Sequence, residues 1–254
     1  MSGVELLLLV LAGLGGGLAG SIAGLASLVS YPALLAVGLG PVTANVTNTV
    51  ALVFSSLGST LGSRTELRGQ APRVRSLAIA AVLGGCAGAG LLLLTPPDTF
   101  ARIAPWLIGA ASLAILLRQR IRSGVEDHGE QTVAAGPGLV GGVFLIGIYG
   151  GYFGAAAGVM LLALMLAATG ETLARSNALK NVVLGMANAA AAIGFAVLGP
   201  VHWTAVAPLA AGLFAGGRLG PIVVRHANAG LLRALIGLAG LALAVKLGVD
   251  AYGA

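Results

Sequence analysis

Of the 254 residues, 57% are hydrophobic and 9% charged, and the mean hydropathy is +0.99, values outside the range of soluble globular domains. The formal charge of +6 would suggest nucleic acid for a soluble protein; in so apolar a chain it reads as basic residues in short loops that set membrane orientation. The lone cysteine, Cys86, excludes an intrachain disulfide and a cysteine metal cluster.

In chain order, apolar segments fall at 4–29, 45–63, 76–95, 102–117, 136–166, 176–199, 204–224 and 230–249. Runs of about 18 apolar residues suffice to cross a bilayer core of roughly 30 Å, so about eight hydrophobic segments predict an all-α integral membrane protein. Glu5 is the only early charge, so the first segment lacks the basic region of a cleavable signal peptide and is expected to be retained. It carries Gly16, Gly20 and Gly24 at four-residue spacing, is interrupted by Ser30-Tyr31-Pro32 and is closed by Gly38-Leu39-Gly40-Pro41. Residues 15–20 match the glycine pattern of a dinucleotide loop, but no strand precedes them. Pro41-Val42-Thr43-Ala44-Asn45-Val46-Thr47-Asn48 opens the second segment, and Arg64, Arg68, Arg73 and Arg75 follow it. The longest hydrophilic stretch, 118–135, precedes a segment loaded with Gly147, Gly150, Gly151, Gly154 and Gly158. Ser176-Asn177-Ala178-Leu179-Lys180-Asn181 opens the next, and Gly212, Gly216 and Gly220 recur near the end. Such spacing on a helix is expected to let two backbones pack closely.

Asn45 and Asn177 lie 132 positions apart, and the same offset superposes Gly62 on Gly194 and Gly84, Gly85 and Gly88 on Gly216, Gly217 and Gly220. This predicts two homologous membrane repeats, 1–120 and 133–254, joined by a cytoplasmic linker at 121–132. Four full crossings per half would leave Arg175, Lys180, Arg218, Arg225 and Arg233 outside, against the positive-inside tendency. If 1–44 and 133–175 each enter and return to one side, 12 of the 14 Lys/Arg face the cytoplasm and only Arg102 and Lys246 lie outside. The halves are therefore read as inverted repeats with re-entrant or broken glycine-rich helices.

The stretch Ser21-Ile22-Ala23-Gly24-Leu25-Ala26-Ser27-Leu28-Val29-Ser30-Tyr31-Pro32-Ala33-Leu34-Leu35, followed by Thr43-Ala44-Asn45-Val46-Thr47-Asn48-Thr49-Val50-Ala51-Leu52, resembles the first repeat of the sulfite exporter TauE/SafE family. Tyr149-Gly150-Gly151-Tyr152-Phe153-Gly154-Ala155-Ala156-Ala157-Gly158-Val159, Ser176 to Asn181, and Gly199-Pro200-Val201-His202-Trp203 are similar to its second repeat. The resemblance covers nearly the whole chain. It implies a multi-pass inner-membrane permease for small sulfur-containing anions such as sulfite or organosulfonates. Two departures stand near the implied site: Gly24-Leu25-Ala26-Ser27 where similar members carry Gly-Gly-Gly-Ser, and Ala157 where they often place Gln.

An anion in a membrane needs donors, which helix starts supply through free N–H groups and the dipole. The residues expected to bind substrate are Gly24, Ser27, Tyr31, Asn45, Asn48, Gly154, Asn177, Lys180, Asn181 and Arg218. Each has a plainer reading: helix capping for Asn45 and Asn177, interhelical hydrogen bonding for Asn48 and Asn181, snorkelling for Lys180 and Arg218, packing or interfacial anchoring for Tyr31. The eight acidic residues sit at termini or in loops, which makes a carboxylate proton relay hard to build. Export of an anion needs none, since an inside-negative potential supplies about 2.3 kcal/mol per charge per 100 mV. The expectation is a potential-driven anion permease, not an enzyme, with no cofactor, metal or nucleic-acid partner. Its partners are a small anionic substrate and the lipid bilayer, with a homo-oligomer left open. A cation channel or exchanger and a membrane-embedded enzyme are the alternatives.

Overall fold

The computed structural model describes residues 1–121, 136–223 and 229–252. These form ten helices: α1 (Gly3–Ala23), α2 (Ser27–Ala36), α3 (Pro41–Gly62), α4 (Ala71–Leu94), α5 (Pro97–Ile121), α6 (Pro137–Tyr152), α7 (Ala157–Thr169), α8 (Leu173–Leu198), α9 (Trp203–Val223) and α10 (Ala229–Tyr252). No strand occurs among the described residues. Among the described residues four helices, α1, α4, α8 and α9, are long and apolar enough to cross a membrane. Their outer faces expose large aliphatic side chains such as Leu11, Ile79, Leu83, Ile193 and Val197, as a lipid-contacting surface requires. The expected linker 121–132 lies outside the described residues from position 122 onward.

Two of the expected segments are each a pair of helices. Residues 4–29 hold α1 and the start of α2, and 136–166 hold α6 and most of α7. The first interruption is at Gly24–Ala26 rather than at Ser30-Tyr31-Pro32, which lies inside α2. Gly24 adopts φ +76°, and the amides of Gly24 and Leu25 donate to Gly20 O and Ala19 O, closing the last turn of α1. Pro32 is tolerated because it deprives the short α2 of a single intrahelical bond, to Leu28 O. In the second half the break spans Phe153–Ala156, with Gly154 at φ +74° and Ala156 at +58°. The Tyr149 hydroxyl donates to Ala155 O across this break (2.7 Å).

The helix pairings exchange between halves. α1 and α3 pack on α9, and α6 and α8 pack on α4; α3 faces α8 and α5 faces α10. Small residues set the approach. A Cβ on Gly13 or Gly17 would strike the α9 backbone around Gly212 and Gly216, and one on Gly84 or Gly88 that of α6 around Gly147 and Gly151. Gly16 and Gly20, expected on the same stripe as Gly24, instead face Ala26 at the entry to α2. These contacts advance together in number, so α1 runs parallel to α9 and α4 to α6.

α3 and α8 run antiparallel. Gly185 opposes Ser56 at mid-length, while Thr47 near the start of α3 accepts from the His202 amide beyond the end of α8 (3.0 Å). α5 and α10 are antiparallel too, with Pro105 near Gly248 and Ser112 against Gly240. At one end of the bundle Glu171 pairs with Arg73 and Arg175, the latter at 2.7 Å. Arg175 also donates to Arg68 O (3.4 Å). The α3–α4 and α7–α8 connections therefore meet.

The two breaks touch directly. A Cβ on Gly24 would lie 2.3 Å from Gly158 C, and one on Gly158 would lie 2.6 Å from Gly24 Cα. Gly24→Ala therefore adds a backbone clash to an unfavourable φ, and should cost about 3 kcal/mol or more, or prevent folding. Thermal unfolding of the purified protein in detergent checks this. Gly40→Ala, where nothing lies within 4 Å, should leave stability unchanged.

Candidate functional site

Where the breaks meet the middles of α3 and α8, the helices leave a small cavity. Its walls are Gly20, Gly24, Ala26 and Ser27 from the first break, Gly154 and Gly158 from the second, and Leu52, Ser55, Ser56, Ser59, Asn181, Leu184 and Asn188 from α3 and α8. About 40 Å³ is open to water-sized molecules, room for about three waters or one compact ion. Helical spacing brings the polar residues together: Ser55 and Ser59 stand four apart on α3, and Asn181, Leu184 and Asn188 share a face of α8.

Both α2 and α7 begin at this cavity with no side-chain cap, which sets a positive dipole end there, while the Leu28, Val29, Ala157 and Val159 amides donate to backbone carbonyls of the breaks. The Asn181 Nδ2 is buried and has no hydrogen-bond partner. No charged side chain is among the lining residues. Lys180, wholly buried, approaches from behind: its Nζ donates to Gly20 O (3.0 Å) in the last turn of α1, where a cation suits the dipole.

Of the residues expected to bind substrate, Gly24, Ser27, Gly154 and Asn181 line the cavity. Asn45 and Asn177 do not, and neither caps its helix. Each is the fifth residue of its helix; Gly40 precedes α3, and Thr172 caps α8 by accepting from the Arg175 amide (3.4 Å). Their amides hold the breaks instead. Asn45 Nδ2 donates to Tyr152 O at the end of α6 (2.8 Å), and Asn177 Nδ2 donates to Ser21 O in the last turn of α1 (2.7 Å). Each half thus ties down the interrupted helix of the other.

Lys180 stands 132 positions after Asn48. Asn48 accepts from the Ser30 hydroxyl through Oδ1 (2.6 Å), away from the cavity lining. Tyr31 is buried edge-on to Phe153, 5.4 Å between centroids, and its hydroxyl points to Pro41 O at 3.5 Å. Arg218 is exposed on α9, outside the lining.

Ser55, Ser56, Ser59 and Asn188 were not singled out from the sequence. Their signal was available as hydroxyls one turn apart inside an apolar span, and as an asparagine two turns beyond Asn181. Among the described residues, no three His, Cys, Asp or Glu side chains gather as a metal site would require.

The profile described as Sulfite exporter TauE/SafE matches residues 9–247. The chain belongs to this family. Similar proteins include the probable membrane transporter protein YfcA of Escherichia coli K12, 28% identical over 92% of this chain and 86% of its own length. A probable membrane transporter of a Sinorhizobium species, ORF9, is 26% identical over 91% of this chain and 87% of its own. One from Haemophilus influenzae is 27% identical over 91% and 89%. No solved structure matches. This TauE/SafE chain is therefore an integral membrane protein of a transporter family rather than an enzyme.

The two asparagine roles separate by measurement. Asn45→Ala and Asn177→Ala should each lower stability by about 1–2 kcal/mol, because a buried carbonyl at a helix break loses its donor. Asn181→Ala, which removes a donor that bonds to nothing in the protein, should stay within about 1 kcal/mol of wild type. Thermal unfolding in detergent reads both.

Proposed function

We propose that this TauE/SafE protein is a multi-pass plasma-membrane permease for small sulfur-containing anions, of the size of sulfite (taken in its singly protonated, monoanionic form) or a short sulfonate, driven outward by the membrane potential. The observation that carries the reading is the cavity between the breaks. Two uncapped helix starts and an unpartnered Asn181 amide converge there, with no carboxylate among the lining residues. Buried donors without acceptors suit an anion and repel a cation. The room available favours a compact anion; a longer sulfonate needs the breaks to part.

In this reading the halves are inverted repeats. The antiparallel α3 and α8 support it, as does the Arg73–Glu171–Arg175 cluster, which four full crossings per half would split across the bilayer. Each broken helix pair enters the membrane and returns, α1–α2 from outside and α6–α7 from the cytoplasm. The breaks then act as the moving parts. Gly24 against Gly158 is a contact without side chains, which lets one break slide on the other while Asn45 and Asn177 keep each helix end satisfied. Lys180 places a positive charge behind the site, and the exposed Arg218 contributes to the positive cytoplasmic surface.

Radiolabelled sulfite flux into proteoliposomes under an imposed potential tests the function. Uptake should follow the potential, and Asn181→Ala should reduce it about tenfold, the loss of a charge-assisted hydrogen bond. Lys180→Gln should weaken the preference for anions over potassium. Flux of potassium without sulfite would instead identify a cation pathway. For the topology, Arg68→Cys and Arg175→Cys, each in a Cys86→Ser background, should both react with a membrane-impermeant maleimide from the cytoplasmic face only; labelling from opposite faces overturns the inverted arrangement.

A further inference from the structure

We infer that the cavity selects by charge as well as size: it accepts monovalent oxyanions and rejects divalent ones of equal volume. The inference rests on the proposed anion site and deepens it. Its basis is the kind of positive potential the site offers. Every polar side chain in the lining is neutral, namely the hydroxyls of Ser27, Ser55, Ser56 and Ser59 and the amides of Asn181 and Asn188.

What remains comes from backbone. α2 has 10 residues and α7 has 13, and each uncapped start presents roughly half a positive charge. Together they amount to about one unit. The opposing negative ends of the broken helices are already covered. Lys180 and Asn177 donate to Gly20 O and Ser21 O on α1, and Asn45 donates to Tyr152 O on α6.

A monoanion between the two starts is thus close to neutralised. A dianion leaves about one charge uncompensated in a partly enclosed space of low dielectric, after a dehydration penalty that rises with the square of the charge and is roughly fourfold larger. Asn181 supplies the second, independent sign of a ligand. It is 6% exposed, lines the cavity, and its Nδ2 is buried without a partner, a state that a native interior rarely leaves unfilled.

Methanesulfonate and sulfate make the comparison, since both are tetrahedral about sulfur with the same number of heavy atoms and differ by one charge. Currents are recorded from proteoliposomes of the full chain on a solid-supported membrane, with potassium as a control. Wild type should carry methanesulfonate at least tenfold faster than sulfate, and Asn181→Ala should lose about tenfold of the methanesulfonate current. Asn188→Lys, which adds a fixed cation to the lining, should raise sulfate relative to methanesulfonate by about tenfold. Ser56→Lys on the facing helix should do the same, and stands in if the first variant fails to fold. Sulfate carried as fast as methanesulfonate by wild type overturns the charge selection while leaving the anion permease standing. Potassium current with neither anion, or no current from folded protein, overturns the permease reading and this inference with it.

Discussion

A helix interrupted inside hydrocarbon exposes backbone carbonyls and amides that no water can satisfy, and the arrangement of this protein follows from how those groups are met. At the end of α1 the carbonyls of Gly20 and Ser21 receive the Lys180 ammonium and the Asn177 amide. At the end of α6 the Tyr152 carbonyl receives Asn45. Carbonyls are covered by side chains from the opposite half, so neither half can keep its break without the other. The amides at the starts of α2 and α7 receive no such cover from side chains. In the cavity lining the Asn181 Nδ2 remains a buried donor without a partner.

Close backbone packing holds this arrangement in place. In a bilayer, helices gain little from burying apolar surface against one another, because lipid tails are equally apolar; van der Waals fit and interhelical hydrogen bonds carry association. The glycine contacts of α1 with α9 and of α4 with α6 supply that fit, and each joins one half to the other. At the crossing of Gly24 and Gly158 two chains touch without side chains. The same crossing shapes one wall of the cavity.

The distribution of charge is consistent with a role for neutral dipoles at the centre and formal charges at the ends. Arg73, Glu171 and Arg175 cluster at one end of the bundle, where partial exposure makes their pairing modest in energy but useful in joining two connections. Among the described residues Lys180 is the exception, a cation wholly buried among helices. Its position against the end of α1 gives it a structural task that the charge alone would not reveal. Asn48, 132 positions earlier, makes a neutral bond to Ser30 instead.

Sequence alone determined the all-helical membrane class and the family resemblance, because hydropathy and motif residues are properties of the chain in one dimension. It also pointed to Gly24, Ser27, Gly154 and Asn181, whose residue types are informative in an apolar span. It misjudged where the first helix stops, since Pro32 is a stronger local signal than Gly24, yet a left-handed glycine with satisfied neighbours ends a helix more completely than a proline that removes one bond. It assigned Asn45 and Asn177 to helix starts, whereas each lies in the second turn and donates to a carbonyl of the other half, since what an amide bonds to one hundred residues away is invisible along the chain. Only the tertiary structure could bring Ser55, Ser59 and Asn188 to the breaks and set Lys180 behind the cavity wall rather than in it. Those placements depend on the antiparallel meeting of α3 and α8, a relation between distant segments that local spacing does not encode.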